Sequence, residues 1–298
     1  MSGYTAYPRA TWHLTQGLSV SLNVSVTRQP DVQSHLLQTL NTKVKLATWN
    51  INSLNVRLPH VLDWVATHRP DVLCLQETKL EDAKFPTAAL REAGLDSIYC
   101  GQKSYNGVAI LSPSPANDVI KGIPGFEDSQ QRVLAATISG VRVVCVYVPN
   151  GEDLASPKYQ YKMTWLGALR GWLTDELTRH PRLAVAGDFN IAPEARDVHD
   201  PELWAGKIHF TEGETKALQA LFDLGLTDAS RLFDQPERSY SWWDYRMMAF
   251  RRKMGLRIDH ILLSPGLVPL CTACTIDIEP RRLERPSDHA PVIAELNV

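Results

Sequence analysis

RPSDHAPVIAEL, residues 285–296, sets a carboxylate and an imidazole side by side, Asp288 and His289, where an apolar run begins. Charged groups are disfavoured beside buried surface unless they are paired or hold a cation, so this placement calls for a reason. The pattern recurs upstream. Asp188 and Asn190 follow the run Leu183 to Ala186, Glu77 follows DVLCLQ (71–76), and Asn50 and Asn52 follow VKLATW (44–49). Asp259 interrupts LRIDHILL (256–263). If these runs are strands, their acids and amides converge at one edge of a sheet core. That is the layout of a hydrolytic site for a hard divalent cation.

The rest of the chain alternates in the same way. RLPHVLDWVATH (57–68) carries Leu58, Val61, Leu62 and Val65 at helical spacing. FPTAALREAG (85–94) reads as a helix closed by Gly94. SIYCG (97–101) and GVAILS (107–112) read as strands, and VLAATISGVRVVCVYVPN (133–150) as a hairpin turning at Ser139-Gly140. The longest helical stretch is Lys158 to Thr178, ended by His180-Pro181. EGETKALQALFDLG (212–225) reads as a helix with an acidic start, while SYSWWDY (239–245), LRIDHILL and HAPVIAEL (289–296) read as strands. Helices alternating with strands and hairpins imply a layered α/β fold with mixed sheets. No Gly-rich phosphate loop and no G-x-S-x-G elbow is present, which leaves nucleotide-triphosphate and serine-hydrolase chemistry without a foothold.

Composition fits a large globular core: 298 residues, 44% hydrophobic. No apolar run approaches the roughly 20 residues that span a bilayer, so no membrane association is expected. The formal net charge of −2 excludes a global basic signal, and nucleic-acid binding would have to rest on a local basic face. Of the five cysteines, Cys74 and Cys145 sit in apolar runs as small core residues. Cys271 and Cys274 form a C-x-x-C without a second ligand pair, which reads as reduced thiols in a cytoplasmic protein rather than a zinc site. Residues 1–43 are rich in Ser, Thr and Gln without sustained periodicity, and are expected to be a disordered extension outside the fold. They lack a secretory signal, and their single acid, Asp31, leaves organellar targeting open.

Taken together, WNIN (49–52), LQETK (75–79), YVPNG (147–151), GDFNIAP (187–193), SWWDYR (241–246), LRIDHIL (256–262) and PSDHAPV (286–292) resemble the exonuclease III family of DNA-repair nucleases, in the endonuclease/exonuclease/phosphatase superfamily. The resemblance runs in order from about Val44 to Val298. It implies a four-layer sandwich, two mixed β-sheets face to face with helices outside and the active site at one end, over a catalytic domain of residues 44–298. It implies a Mg²⁺-dependent phosphodiesterase, with Mn²⁺ as a substitute, that incises 5′ to abasic sites and removes 3′ nucleotides or blocking groups. The partner would be double-stranded DNA with abasic sites, nicks or 3′ ends, met by a monomer.

The resemblance also implies roles. Glu77 matches a metal-binding glutamate, joined at the metal by Asn50, Asn52 and Asp288. Asp188 matches the residue that orients or deprotonates water, Asn190 the amide on the scissile phosphate, and Tyr147 a phenol donor to it. Asp259 matches the acid that orients His289, whose imidazolium offsets charge on the phosphoryl oxygens. Asn150 and Lys79 would touch the DNA backbone or place Glu77. Trp242 and Leu256 would line a pocket for a base-free deoxyribose. Arg246, Arg251 and Arg252, with Lys253 and Arg257, would clamp phosphates, Met247, Met248, Phe250 and Met254 would form a wedge, and Arg281, Arg282 and Arg285 would extend the rim. Each has an ordinary alternative: a helix-cap acid for Glu77, turn chemistry for the asparagines, core packing for the tryptophans and for His260, solvated loops for the arginines. Two rival functions remain: a same-fold enzyme for a non-DNA phosphoester, and an inactive DNA-binding module. The latter would have lost the acids that are present here.

Overall fold

A computed structural model describes residues 42–298. All but the last two residues of the expected extension, 1–43, therefore lie outside the described residues. Two six-stranded sheets make the frame. The first takes the order β11 (Cys271–Ile276), β12 (Val292–Asn297), β1 (Lys43–Asn50), β2 (Val72–Gln76), β4 (Val108–Ser112), β3 (Asp96–Cys100). The second runs β5 (Asn117–Lys121), β6 (Val133–Ile138), β7 (Val141–Tyr147), β8 (Leu183–Asp188), β10 (Asp259–Leu263), β9 (Thr227–Asp228). Each sheet has one parallel pair, β1 with β2 and β7 with β8, and is otherwise antiparallel.

The two periodicities explain the layering. Along β7, Val141, Val143, Cys145 and Tyr147 enter the core between the sheets, while Val144 and Val146 face outward onto α3 (Pro157–Arg179) and α5 (Glu212–Phe222). Along β1, Val44 and Leu46 point inward, whereas Ala47 and Trp49 meet α1 (Leu54–His68) and the region of α2 (Thr87–Glu92). Strands covered on both faces read as continuous apolar runs, which is why the sequence shows runs rather than alternation. The result is helix, sheet, sheet, helix.

The hairpin turn falls at Ser139 and Gly140, both at positive φ (50° and 78°), as a tight two-residue connection between twisted strands requires. Ser156 caps α3 by accepting from the Lys158 amide, and Thr211 with Glu214 forms a reciprocal capping box on α5. Three expectations change. SYSWWDY is not a strand: only Trp242 bridges, to Leu256 and His289. The edge strands β5 and β9 were not foreseen, nor was β11, which contains both Cys271 and Cys274. All five thiols are free, with Cys74 and Cys145 buried as expected. Among the described residues no helix is long and apolar enough to cross a membrane.

Candidate catalytic site at the end of the sandwich

Topology gathers the polar residues. β1 and β2 run parallel, so Asn50 and Glu77 leave the first sheet at the same end. β7 and β8 do the same for Tyr147 and Asp188, which stand opposite one another in register. β10 runs antiparallel to β8 and begins at Asp259, directly across from Asp188. β12, antiparallel to β1, starts just after His289. The ends of strands from both sheets thus meet in one place.

Hydrogen bonds then fix the groups. The buried Asn50 amide nitrogen donates to Glu77 Oε1 and to Asp188 Oδ2, both at 2.9 Å, tying the two sheets together. Its carbonyl oxygen accepts the Asn52 backbone N–H at 3.0 Å. Asn50, expected at the metal, braces two carboxylates with its amide nitrogen, while its Oδ1, the atom a metal would take, faces the Asn52 backbone N–H. Glu77 Oε2 meets the Lys79 ammonium at 2.8 Å, and the same ammonium donates to Asn52 Oδ1 at 2.6 Å. Asn52 in turn donates to Asp288 Oδ1 at 2.8 Å, while the Trp242 indole N–H holds Asp288 Oδ2 at 3.0 Å. Glu77, Lys79, Asn52 and Asn190 all adopt positive φ, between 44° and 53°, a conformation that costs non-glycine residues and clusters at functional turns.

On the other side His289 Nδ1 faces both oxygens of Asp259, at 3.1 and 2.9 Å. Burial alone would lower this histidine, but the charges of Asp259 and Asp188 outweigh it and hold the imidazole up at about 10. These charges favour its imidazolium form, with Nε2 3.8 Å from Asp188 Oδ2. Burial raises Asp188 to about 7, with the Asp259 charge adding to this and His289 and Asn50 opposing it. A carboxylate so poised can take a proton from water near neutrality. Asp188 also accepts from the Asn190 backbone N–H at 2.8 Å. Asn190 Nδ2 donates to Val148 O at 3.0 Å, and its Oδ1 accepts from the exposed Asn150 amide at 3.2 Å. Burial and the nearby Glu77 and Asp188 charges push the Tyr147 phenol well above its usual range, so it stays a donor. Burial would raise Asp288 too, but the His289 charge and the Asn52 and Trp242 donors keep it low.

The donor set fits a hard divalent cation. Ligand atoms of Glu77, Asp188 and His289 lie within 4.8 Å of one another. His289 cannot serve as a ligand while Asp259 keeps it protonated, which leaves carboxylate oxygens, the donors such a cation prefers. A lysine ammonium already rests on Glu77 Oε2. A cation held by Glu77, with Asp188 or Asp288 nearby, would supply Lewis acidity and neutralise a phosphodiester. Asp188 would orient water, and Asn190, Tyr147 and His289 would donate to phosphoryl oxygens.

Several expected DNA contacts fall elsewhere. Arg257 is buried, paired with Asp197 and Asp228 at 2.7 Å each, and takes no part in a basic face. Arg281 is also buried, donating to Ser287 O beneath Trp243, Tyr245 and Phe250. Phe250 and Met254 pack into a small apolar cluster and cannot wedge a groove, whereas Met247 and Met248 are 71% and 65% exposed. Arg246 is exposed and paired with Asp244, and Arg251 and Arg252 are exposed, as a phosphate clamp requires. Leu256 has no exposed surface, and Trp242 faces the buried His209 ring at 6.1 Å. Trp242 keeps a partly exposed face beside these two residues. His260 is core, as read: its Nδ1 accepts from Arg257 and its Nε2–H donates to Ile191 O. The sequence reading passed over Lys162, His209 and Glu214; the T-x-x-E spacing of Thr211 and Glu214 was the one available signal.

The profile of the endonuclease/exonuclease/phosphatase family matches residues 47–289. Haemophilus influenzae exodeoxyribonuclease III is 34% identical over 266 residues, 85% of this chain and 99% of that protein. A Neisseria 3′ phosphatase, solved bound to a product DNA hairpin, is 52% identical with a TM-score of 0.84, covering 86% of this chain and 100% of that one. An AP endonuclease from Archaeoglobus fulgidus is 39% identical with a TM-score of 0.82, over 86% and 100%. With two mixed sheets converging on the same acids, amides and imidazole that the shared motifs supply, the chain belongs to the endonuclease/exonuclease/phosphatase family, on its exonuclease III branch, and is a hydrolase of the nuclease type.

Proposed function

We propose that this protein is a Mg²⁺-dependent DNA-repair phosphodiesterase, for which Mn²⁺ substitutes, acting as a monomer on duplex DNA at 3′ ends, nicks and abasic sites. The observation that carries this reading is geometric: the buried Asp188 carboxylate stands with Glu77 and His289 in one cluster, and His289 is itself held by Asp259 at 2.9 Å. Water activation and charge neutralisation for phosphodiester hydrolysis are both provided, and no acid of the set is missing. The relatives' activities support DNA as the substrate.

The relatives include both a 3′ phosphatase and an AP endonuclease, so 3′-end processing and abasic incision are both assigned to the one site. Five free thiols, four of them buried, suit a cytoplasmic protein that meets the nucleoid through DNA. The test is a panel of duplexes carrying a blunt end, a nick, a 3′-phosphate or an abasic site, digested with Mg²⁺, with Mn²⁺ and with excess EDTA. We expect cleavage only with metal, at 3′ termini and at abasic sites. Full activity in chelator, or release of phosphate from a non-nucleic phosphoester at a comparable rate, would overturn the reading.

A further inference from the structure

Helix α3 presents an apolar stripe to the second sheet, formed by Trp165, Leu166, Leu169, Trp172 and Leu173, and its first position is a lysine. Lys162 has no exposed surface. Burying an ammonium is costly, and the chain spends three acceptors on it. Lys162 Nζ donates to Asn150 O at 3.1 Å, to Asn190 O at 2.8 Å and to Glu214 Oε1 at 2.5 Å. Asn150 and Asn190 belong to different loops, those following β7 and β8, and their side chains meet at 3.2 Å on the catalytic side. Glu214 is itself held by the Thr211 hydroxyl and by the backbone N–H groups of Thr211 and His209. The buried His209 ring bonds Asn190 O through Nδ1 at 2.8 Å, reinforcing the same carbonyl.

We propose that Lys162 is a positioning residue for hydrolysis: its ammonium, anchored by Glu214, clamps the backbones behind Asn190 and Asn150 and so fixes the Asn190 side chain against Asp188 with the Asn150 side chain beside it. The clamp does not touch substrate. It acts on a residue with positive φ (Asn190, 52°) that is otherwise held by Asp188, Val148, the Asn150 amide and the His209 ring. An apolar side chain of similar length fills the space but removes the ammonium from Asn150 O and Glu214 and leaves Asn190 O to His209 alone, so the loop gains freedom without a cavity forming.

The inference rests on the nuclease reading, and the parent enzyme serves as the control: a parent that cleaves no DNA condemns that reading and not this one. In the full-length chain, Lys162→Met should lower kcat on a 3′-recessed duplex by about 10- to 100-fold, measured well below its melting temperature. KM and binding to the duplex in EDTA should stay within about twofold, because the clamp acts on geometry and not on affinity. A purely structural lysine predicts instead a lower melting point with normal kcat in the cold. A double-mutant cycle with Asn190→Ala separates the two directly: combining the substitutions should cost little more than Asn190→Ala alone. Lys162→Arg, which retains charge and donors, should recover part of the loss. Should Lys162→Met not fold, Lys162→Gln is read by the same cycle. Additive losses, or unchanged kcat in a folded variant, overturn the proposal.

Discussion

At the scale of single residues the site divides into groups that react and groups that aim them. Asp188→Asn keeps shape but removes basicity, and His289→Ala removes the positive charge beside the phosphate. Each should cut kcat by about 10²- to 10⁴-fold while abasic or nicked duplex still binds. Single-turnover cleavage alongside a binding titration checks this, and parental rates for Asp188→Asn would remove it from the chemistry. Glu77→Ala should shift activity to higher Mg²⁺, seen as a displaced metal titration. These residues were legible because each interrupts or ends an apolar run, and a charge in that position needs a partner. Lys162 was not legible: a lysine on an otherwise apolar helix face looks like a solvated turn until Asn150, Asn190 and Glu214, drawn from three segments, are brought round it. Arg257 and Arg281 misled in the opposite sense. They sit in basic stretches of sequence, but Asp197 and Asp228, and the ring cluster of Trp243, Tyr245 and Phe250, take them inside.

At the scale of elements the segment from Trp242 to Arg252 carries two separable tasks. Its tip is exposed and cationic, and Arg251 and Arg252 should act by displacing counterions from the duplex. Replacing both with Ala should weaken binding to every duplex and reduce the slope of log K against log salt by about two, which binding isotherms at several salt concentrations would show. Its base is different. Trp242 anchors Asp288 through a 3.0 Å hydrogen bond, so Trp242→Ala should impair cleavage at 3′ ends as well as at abasic sites, with a near-normal salt slope. Loss confined to abasic substrates would instead support the sugar pocket that the sequence suggested. Helix and strand identities were readable from period alone in most of the chain, from VKLATWNI through the hairpin to HAPVIAEL. SYSWWDY failed because its aromatic alternation serves side-chain clusters and single bridges rather than a ladder. The edge strands β5, β9 and β11 were hidden because they are short, polar or half-exposed, the usual dress of a sheet margin.

At the scale of the whole molecule, burial of neutral histidines links stability to pH. His209 and His260 are both lowered to about 4, in each case chiefly by burial. A histidine depressed on folding is protonated first in the unfolded chain, so the stability it contributes is present above the unfolded value near 6.5 and is lost as pH falls toward 4. Each contributes up to about 3 kcal/mol over that window. Urea midpoints should therefore drop between pH 6.5 and 4, and His260→Gln, if folded, should flatten the drop. A variant as acid-sensitive as the parent would show that other groups, such as the Asp197 and Asp228 pairs, govern the loss.

The inter-sheet hydrogen bonds of Asn50 make the reaction centre a gauge of how far apart the two halves of the sandwich stand. Glu77 is delivered by one half and Asp188 by the other, and their spacing is set by the shared core together with the Asn50 and His289 hydrogen bonds that cross it. A void opened in that core, as in Leu134→Ala, costs about 2–5 kcal/mol and lets the halves settle toward each other by fractions of an ångström. Turnover should then fall in a fully folded enzyme, far from any substrate contact, and refilling the void with a bulkier neighbour should restore it. The nuclease reads out its own packing: catalysis registers a change of gap width that spectroscopic probes of folding pass over.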